Sequence, residues 1–192
     1  SVTGIVNATT VSVDTLTGFV AGDTVVMIQM KGASVDLNNS SSFCNIDSYG
    51  NAGNYEFLKI QSVNNALRQI TFTCAITKTY DNVPPGIVQL VRVHCLTNAN
   101  VASSLTAKPW SPSTGKGGVL AIIVTGKLTL NADIDVSGKG LRGGIPGLNL
   151  FSGCAGSSAI WQHYYYSLGS DSAGMKGEGI GMISPLLHSL GR

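Results

Sequence analysis

Along its first hundred residues the chain alternates between short runs of apolar, β-branched residues and clusters of turn formers. The runs are Thr9 to Val13, Thr24 to Met30, Tyr55 to Val63, Gln69 to Ile76 and Ile87 to Val93. None shows the 3.6-residue period of a helix, and each is rich in the side chains that suit a pleated surface. Ala21-Gly22-Asp23, Asn64-Asn65 and Val83-Pro84-Pro85-Gly86 supply turn chemistry between them. Residues 1–97 are therefore predicted to form an antiparallel β domain of five or six strands, closed as a small barrel or a sandwich. Within it, residues 31–53 (KGASVDLNNSSSFCNIDSYGNAG) lack any period and read as a long polar surface loop.

Residues 98–117 read as a connector, punctuated by Pro109, Pro112, Gly115 and Gly117 and anchored by Trp110. From residue 118 to 192 the chain is a glycine-rich β section. Val119 to Val124 is a continuous apolar run, Lys127 to Leu130 puts Leu128 and Leu130 on one side, and Ala132, Ile134 and Val136 alternate with Asn131, Asp133, Asp135 and Ser137. Gly126, Asn131-Ala132 and Gly138 mark bends. Strands this short and closely spaced suit a β-sandwich or a β-helix-like coil in which each rung lies on the next, because one rung cannot bury its apolar side alone. The fold class is all-β.

Composition sharpens that picture. Charged residues make up only 11% of the chain, against about 25% in ordinary soluble domains, and glycine reaches 24 of 192 positions. Ser, Thr and Asn carry the polarity, as expected for an extracellular β protein. The formal charge of +2 comes from scattered Lys and Arg with no cluster for phosphates, which argues against a nucleic-acid partner. No run approaches the roughly 18 uncharged apolar residues that a membrane-crossing helix needs. Ser1 opens without the basic and apolar regions of a signal peptide, so a mature or trimmed start is expected, and the chain reads as the front of a longer polypeptide. Cys44, Cys74, Cys95 and Cys154 form an even, widely spaced set that permits up to two disulfides in three pairings; buried free thiols are the alternative, with Cys74 inside the strand-like ITFTCAIT.

Candidate chemistry is sparse. Asp133 and Asp135 share one face of a strand and are the best carboxylate pair for acid/base work, but Asn131 and Ser137 join them there, as on any half-solvated strand. The oxygen-rich set Asn131, Asp133 and Asp135 is the candidate calcium site; an EF-hand loop starting at Asn131 fails, because Val136 stands where glycine is needed and Arg142 where glutamate is needed. Gly138 to Gly144 lacks the order of a phosphate-binding loop, and Lys176-Gly177-Glu178-Gly179 reads as a turn with solvated charges. There is no GxSxG elbow, and no catalytic residue is assigned. The sole dense aromatic cluster, WQHYYY, makes Trp161, His163, Tyr164, Tyr165 and Tyr166 the candidate ligand-binding residues, able to stack on sugar rings or on a protein; local packing over a glycine-rich surface is the alternative.

The succession AGDTVVMIQMKGA (21–33), AGNYEFLKIQSV (52–63), VQLVRV (88–93), LTAKPWSPSTGKGGVLAIIVTGKLTLNADIDVSGKGLRGG (105–144) and KGEGI (176–180) resembles the N-terminal region of very large cell-surface proteins of Bacteroidetes, similar to gliding-motility adhesins exported by the type IX secretion system. The resemblance implies export, display on the cell surface, and a role in adhesion or in an extended filament. It implies as partners polysaccharide or a solid surface, the secretion or motility machinery, and further copies of the chain. It supplies no catalytic residue. The expected function is thus a secreted adhesin or filament-forming module, without enzymatic activity. The rivals are a polysaccharide lyase or hydrolase on a β-helix-like scaffold, motivated by Asp133 and Asp135, and a carbohydrate-binding module that does not assemble.

Overall fold

The computed structural model describes residues 1–36, 38, 40–43, 45–143 and 177–181. Among these there is no helix. The strands are β1 (Val2–Asn7), β2 (Thr10–Val13), β3 (Thr24–Lys31), β4 (Ser34–Val35), β5 (Ile46–Ser48), β6 (Tyr55–Asn64), β7 (Gln69–Phe72), β8 (Ile87–Leu96), β9 (Ala99–Val101), β10 (Ile122–Val124) and β11 (Leu128–Leu130). Seven of them form one mixed sheet in the order β1-β2-β7-β6-β3-β8-β10, while β9 pairs with β11 and β4 with β5.

The five sequence-predicted strands of the first section all appear, as β2, β3, β6, β7 and β8. Their registers place alternate apolar side chains on one face. On β3, Val25 lies opposite Leu58 and Arg92, and Met27 lies opposite Glu56 and Leu90. The long strand β6 pairs with β3 through Tyr55 to Lys59 and with β7 through Ile60 to Asn64, with a register irregularity between Ile60 and Ser62. A bulge of this kind bends its strand and raises its twist. Val11, Val25, Met27, Ile60, Ile70, Phe72 and Val88 meet there as a fully buried cluster, with Tyr80 from the following loop packed on it. Each such side chain contributes about 1.5–3 kcal/mol on leaving water.

The sheet does not close into a barrel. Among the described residues β1 and β10 are its two ends and do not pair. β1 carries two register shifts against β2, and β10 pairs with the end of β8 from His94 to Leu96. The mixed character arises at that same edge, where β10 runs parallel to β8 while the other neighbours are antiparallel.

Residues 94–110 and 122–139 run side by side in the same direction. His94 pairs with Ile122, a spacing of 28 residues, whereas Ala99 pairs with Leu128 and Leu105 bridges Ile134 at a spacing of 29. Trp110 N–H then donates to the Lys139 carbonyl at 2.8 Å. The additional residue sits at the corner occupied by Gly126, whose N–H donates to the Thr97 carbonyl at 2.7 Å; a Cβ there would lie 2.6 Å from that oxygen. Asn98 Oδ1 accepts the Lys127 N–H at 2.7 Å and completes the corner. The stretch read as a connector therefore contributes a strand, β9, to this pairing.

Three further expectations change. Residues 31–53 are not aperiodic throughout, because β4 and β5 pair within them. Ala132, Ile134 and Val136 do not form a strand beyond the single bridge at Ile134: Asp135 Oδ1 accepts the Ser137 N–H at 2.8 Å and Lys139 N–H closes back on the Val136 carbonyl, so the backbone turns. Their apolar side is also not enclosed by the described residues, with Ile134 40% and Val136 45% exposed.

Candidate functional site

Asn131, Asp133, Asp135 and Ser137 line one shallow open depression beside β11. Their groups are turned to different tasks. Asn131 Nδ2 donates to Asn100 Oδ1 at 2.9 Å, stacking one asparagine on another across the parallel layers. The Asp135 carboxylate caps its own turn, and the hydrogen bonds from Ser137 hold its pKa below the ordinary carboxylate range. That direction is opposite to the one a general acid requires. Calcium takes six to eight oxygens; among the described residues no group of three or more His, Cys, Asp or Glu is placed to hold a metal ion, and Asp133 and Asp135 are the carboxylates in this depression.

Trp161, His163, Tyr164, Tyr165 and Tyr166 lie outside the described residues, as do Cys44 and Cys154. Cys74 and Cys95 are free thiols and both are exposed, so no disulfide joins them, and Cys74 is not a core residue despite its apolar neighbours. It follows Phe72 beyond the end of β7, where the chain has left the ladder.

A different aromatic pair is on display. Tyr55 and Phe57 meet edge to face, ring centroids 6.3 Å apart, while remaining 57% and 53% exposed. They stand on the outer side of β6 with Lys59, opposite the face that buries Leu58 and Ile60. The signal was present in the sequence: in YEFLKIQ the aromatic rings share the parity of Lys59 and Gln61, the polar side of the alternation.

A polar cluster gathers around Glu178. Its Oε1 accepts Lys31 Nζ at 2.5 Å and Trp110 Nε1 at 3.0 Å, and Oε2 accepts Arg142 Nε at 3.4 Å. Lys31 and Trp110 are 7% and 5% exposed. Lys31 reaches this side of the sheet because β3 carries one extra residue between Gln29 and Lys31, which moves Lys31 to the side of Ile87 and away from that of Val88. Burial alone would raise the pKa of Glu178, but hydrogen bonds from Lys31 and Trp110 and the Lys31 charge outweigh it, leaving the carboxyl below its ordinary value. Of the two charges in that turn, Glu178 is thus a largely buried partner and not a solvated one; Lys176 lies outside the described residues. Trp110 anchors its segment as expected, through a carboxylate far along the chain.

On the opposite side of β3 the buried amide of Gln29 is fully used: Oε1 accepts the Asp81 N–H at 2.7 Å, and Nε2 donates to the Lys31 carbonyl at 3.0 Å and to Asp81 Oδ2 at 3.2 Å. Asn51 Nδ2 donates to the other oxygen of Asp81 at 2.9 Å. These bonds fasten two loops to the end of the sheet.

Compared with protein-family models, curated proteins and solved structures, the chain gives no match.

Proposed function

We propose that this chain is a structural module of an exported cell-surface protein, which adheres to polysaccharide or a solid surface and associates with neighbouring copies. The observation that carries the reading is the parallel pairing of residues 94–110 with 122–139 at a spacing of 28 to 29 residues. We read it as the start of a β-helix-like coil with glycine corners, built outward from the edge of the seven-stranded sheet. Such stacking extends a surface in one direction and needs no cleft. The low charge allows close approach to another surface without strong repulsion. Tyr55 and Phe57 offer exposed aromatic area of the kind that stacks on sugar rings or protein. The resemblance to type IX-exported adhesins supports the same reading.

Adsorption to polysaccharide films and bare supports, followed on a quartz crystal microbalance, tests it. The wild-type chain is expected to be retained severalfold more than an inert protein of equal mass, with most of the gain lost in Tyr55→Ala/Phe57→Ala. Sedimentation velocity over a concentration series is expected to show association. No retention, together with a strictly monomeric particle, would remove the proposal.

A further inference from the structure

Residues 177–181 are held at the end of the sheet by three separate stretches of chain. The Ile180 carbonyl accepts the N–H groups of Gly32 at 3.0 Å and Ala33 at 3.3 Å, and Ala33 forms a parallel bridge with Gly181. Glu178 N–H donates to the Arg142 carbonyl at 2.7 Å. The charged groups that meet the Glu178 carboxylate are Lys31, from the end of β3, and Arg142, from the stretch after β11; Trp110, from the stretch between β9 and β10, is a neutral donor. One acid therefore ties together the sheet, the stretch after β9 and the stretch after β11.

We propose that residues 177–181 form a proton-released strap, seated while Glu178 is ionised and detached from the end of β3 when it is protonated. Protonation removes the counter-charge of Lys31, whose side chain is 8% exposed in the seated state. A buried cation without a partner is costlier than one returned to water, so the favourable response is for the strap to lift and let Lys31 be hydrated. Among the described residues, what then remains are the Trp110 bond, which a neutral carboxyl still accepts, and the few backbone bonds at Gly32, Ala33 and Arg142, and single bonds of this kind open locally at little cost. The transition belongs to the acid range. Because the folded pKa of Glu178 lies below its ordinary value of 4.5, the stabilising contribution is complete above that value and is lost as pH falls through the folded pKa.

Amide hydrogen exchange on the full chain at pH 7 and pH 3, corrected for intrinsic chemistry, tests the strap. Gly32 and Ala33 are expected to lose at least about tenfold in protection at pH 3, while Val25 to Ile28, bonded on both edges of β3, keep theirs. In Glu178→Gln, Gly32 and Ala33 are expected to be weakly protected at both pH values, with no step between them. Unchanged protection of Gly32 and Ala33 in the wild type would overturn the proposal without recourse to any variant. So would loss of the Val25 to Ile28 protection in the same step, or a wild-type step retained in Glu178→Gln.

Discussion

Gln89 grips Gly117 with both ends of its side-chain amide: Nε2 donates to the Gly117 carbonyl at 2.9 Å, and the Gly117 N–H donates to Oε1 at 3.0 Å. Gln89 is 2% exposed and sits in β8, so a segment outside the named strands is fixed to the sheet by a side chain that imitates a backbone partner. Lys116 adds an ion pair to Asp14 at 2.5 Å one residue earlier. Together they set the path by which the chain returns to lay β10 beside β8.

Replacing Gln89 with Met keeps most of the volume and removes both bonds. Two half-buried backbone groups on Gly117 lose their partners, at about 1–2 kcal/mol each. The urea midpoint is expected to fall by an amount equivalent to about 2–4 kcal/mol with an unchanged slope. A loss under about 0.5 kcal/mol would show that the clamp contributes little.

Gly117 should itself resist substitution. Its φ is +104°, and a Cβ would lie 2.2 Å from the Pro109 carbonyl oxygen. Gly18 has a comparable φ of +87° but open space around it. Gly18→Ala is expected to cost about 1 kcal/mol from backbone strain alone. Gly117→Ala is expected to exceed about 3 kcal/mol, since backbone must move as well. Equal costs in thermal or urea unfolding would contradict the close approach.

Acid should also loosen the loop after β7. The Glu56 carboxylate accepts the N–H groups of Thr77 at 3.0 Å and Lys78 at 3.1 Å and the Thr77 hydroxyl at 2.9 Å. Partial burial raises its pKa, but these bonds more than compensate and leave it below the ordinary 4.5. The sign follows directly: its contribution is present above 4.5 and disappears as pH falls through the folded value. Glu56→Gln is expected to lower stability at pH 7 by about 1 kcal/mol and to flatten the decline of the urea midpoint between pH 5 and pH 3. A variant with the wild-type pH slope would contradict this assignment.

The thiols give a direct chemical check. Cys74 and Cys95 are expected to react with iodoacetamide in native, unreduced protein, as read by peptide mass mapping. Recovery of either residue in a disulfide-linked peptide would overturn the geometry described.

Period-two alternation was sufficient to locate β2, β3, β6, β7 and β8, because each buries one face against a shared core. It missed β1, where Gly4 and two register shifts break the pattern, and it placed a strand over Ala132 to Val136, where the side chain of Asp135 wins the local backbone. The parallel layers were legible only as short runs with glycine corners; their spacing came from pairings such as Cys95 with Ile123. The Glu178 cluster was hidden for another reason. Its partners Arg142, Trp110 and Lys31 are 36, 68 and 147 positions away, and Lys31 faces them because of a bulge that alternation cannot reveal.

On the proposed reading of the parallel pairing as the start of a coil, its spacing of 28 to 29 residues would set the length of one added turn. Duplicating one such block in tandem would bring each copied Leu128 or Ile134 over its original, with the corner glycine and the asparagine stack repeated in step. An inserted segment of any other length would have to be absorbed in a bend. On that reading the reach of the molecule would increase by whole turns of the coil while the sheet at its base stays as it is.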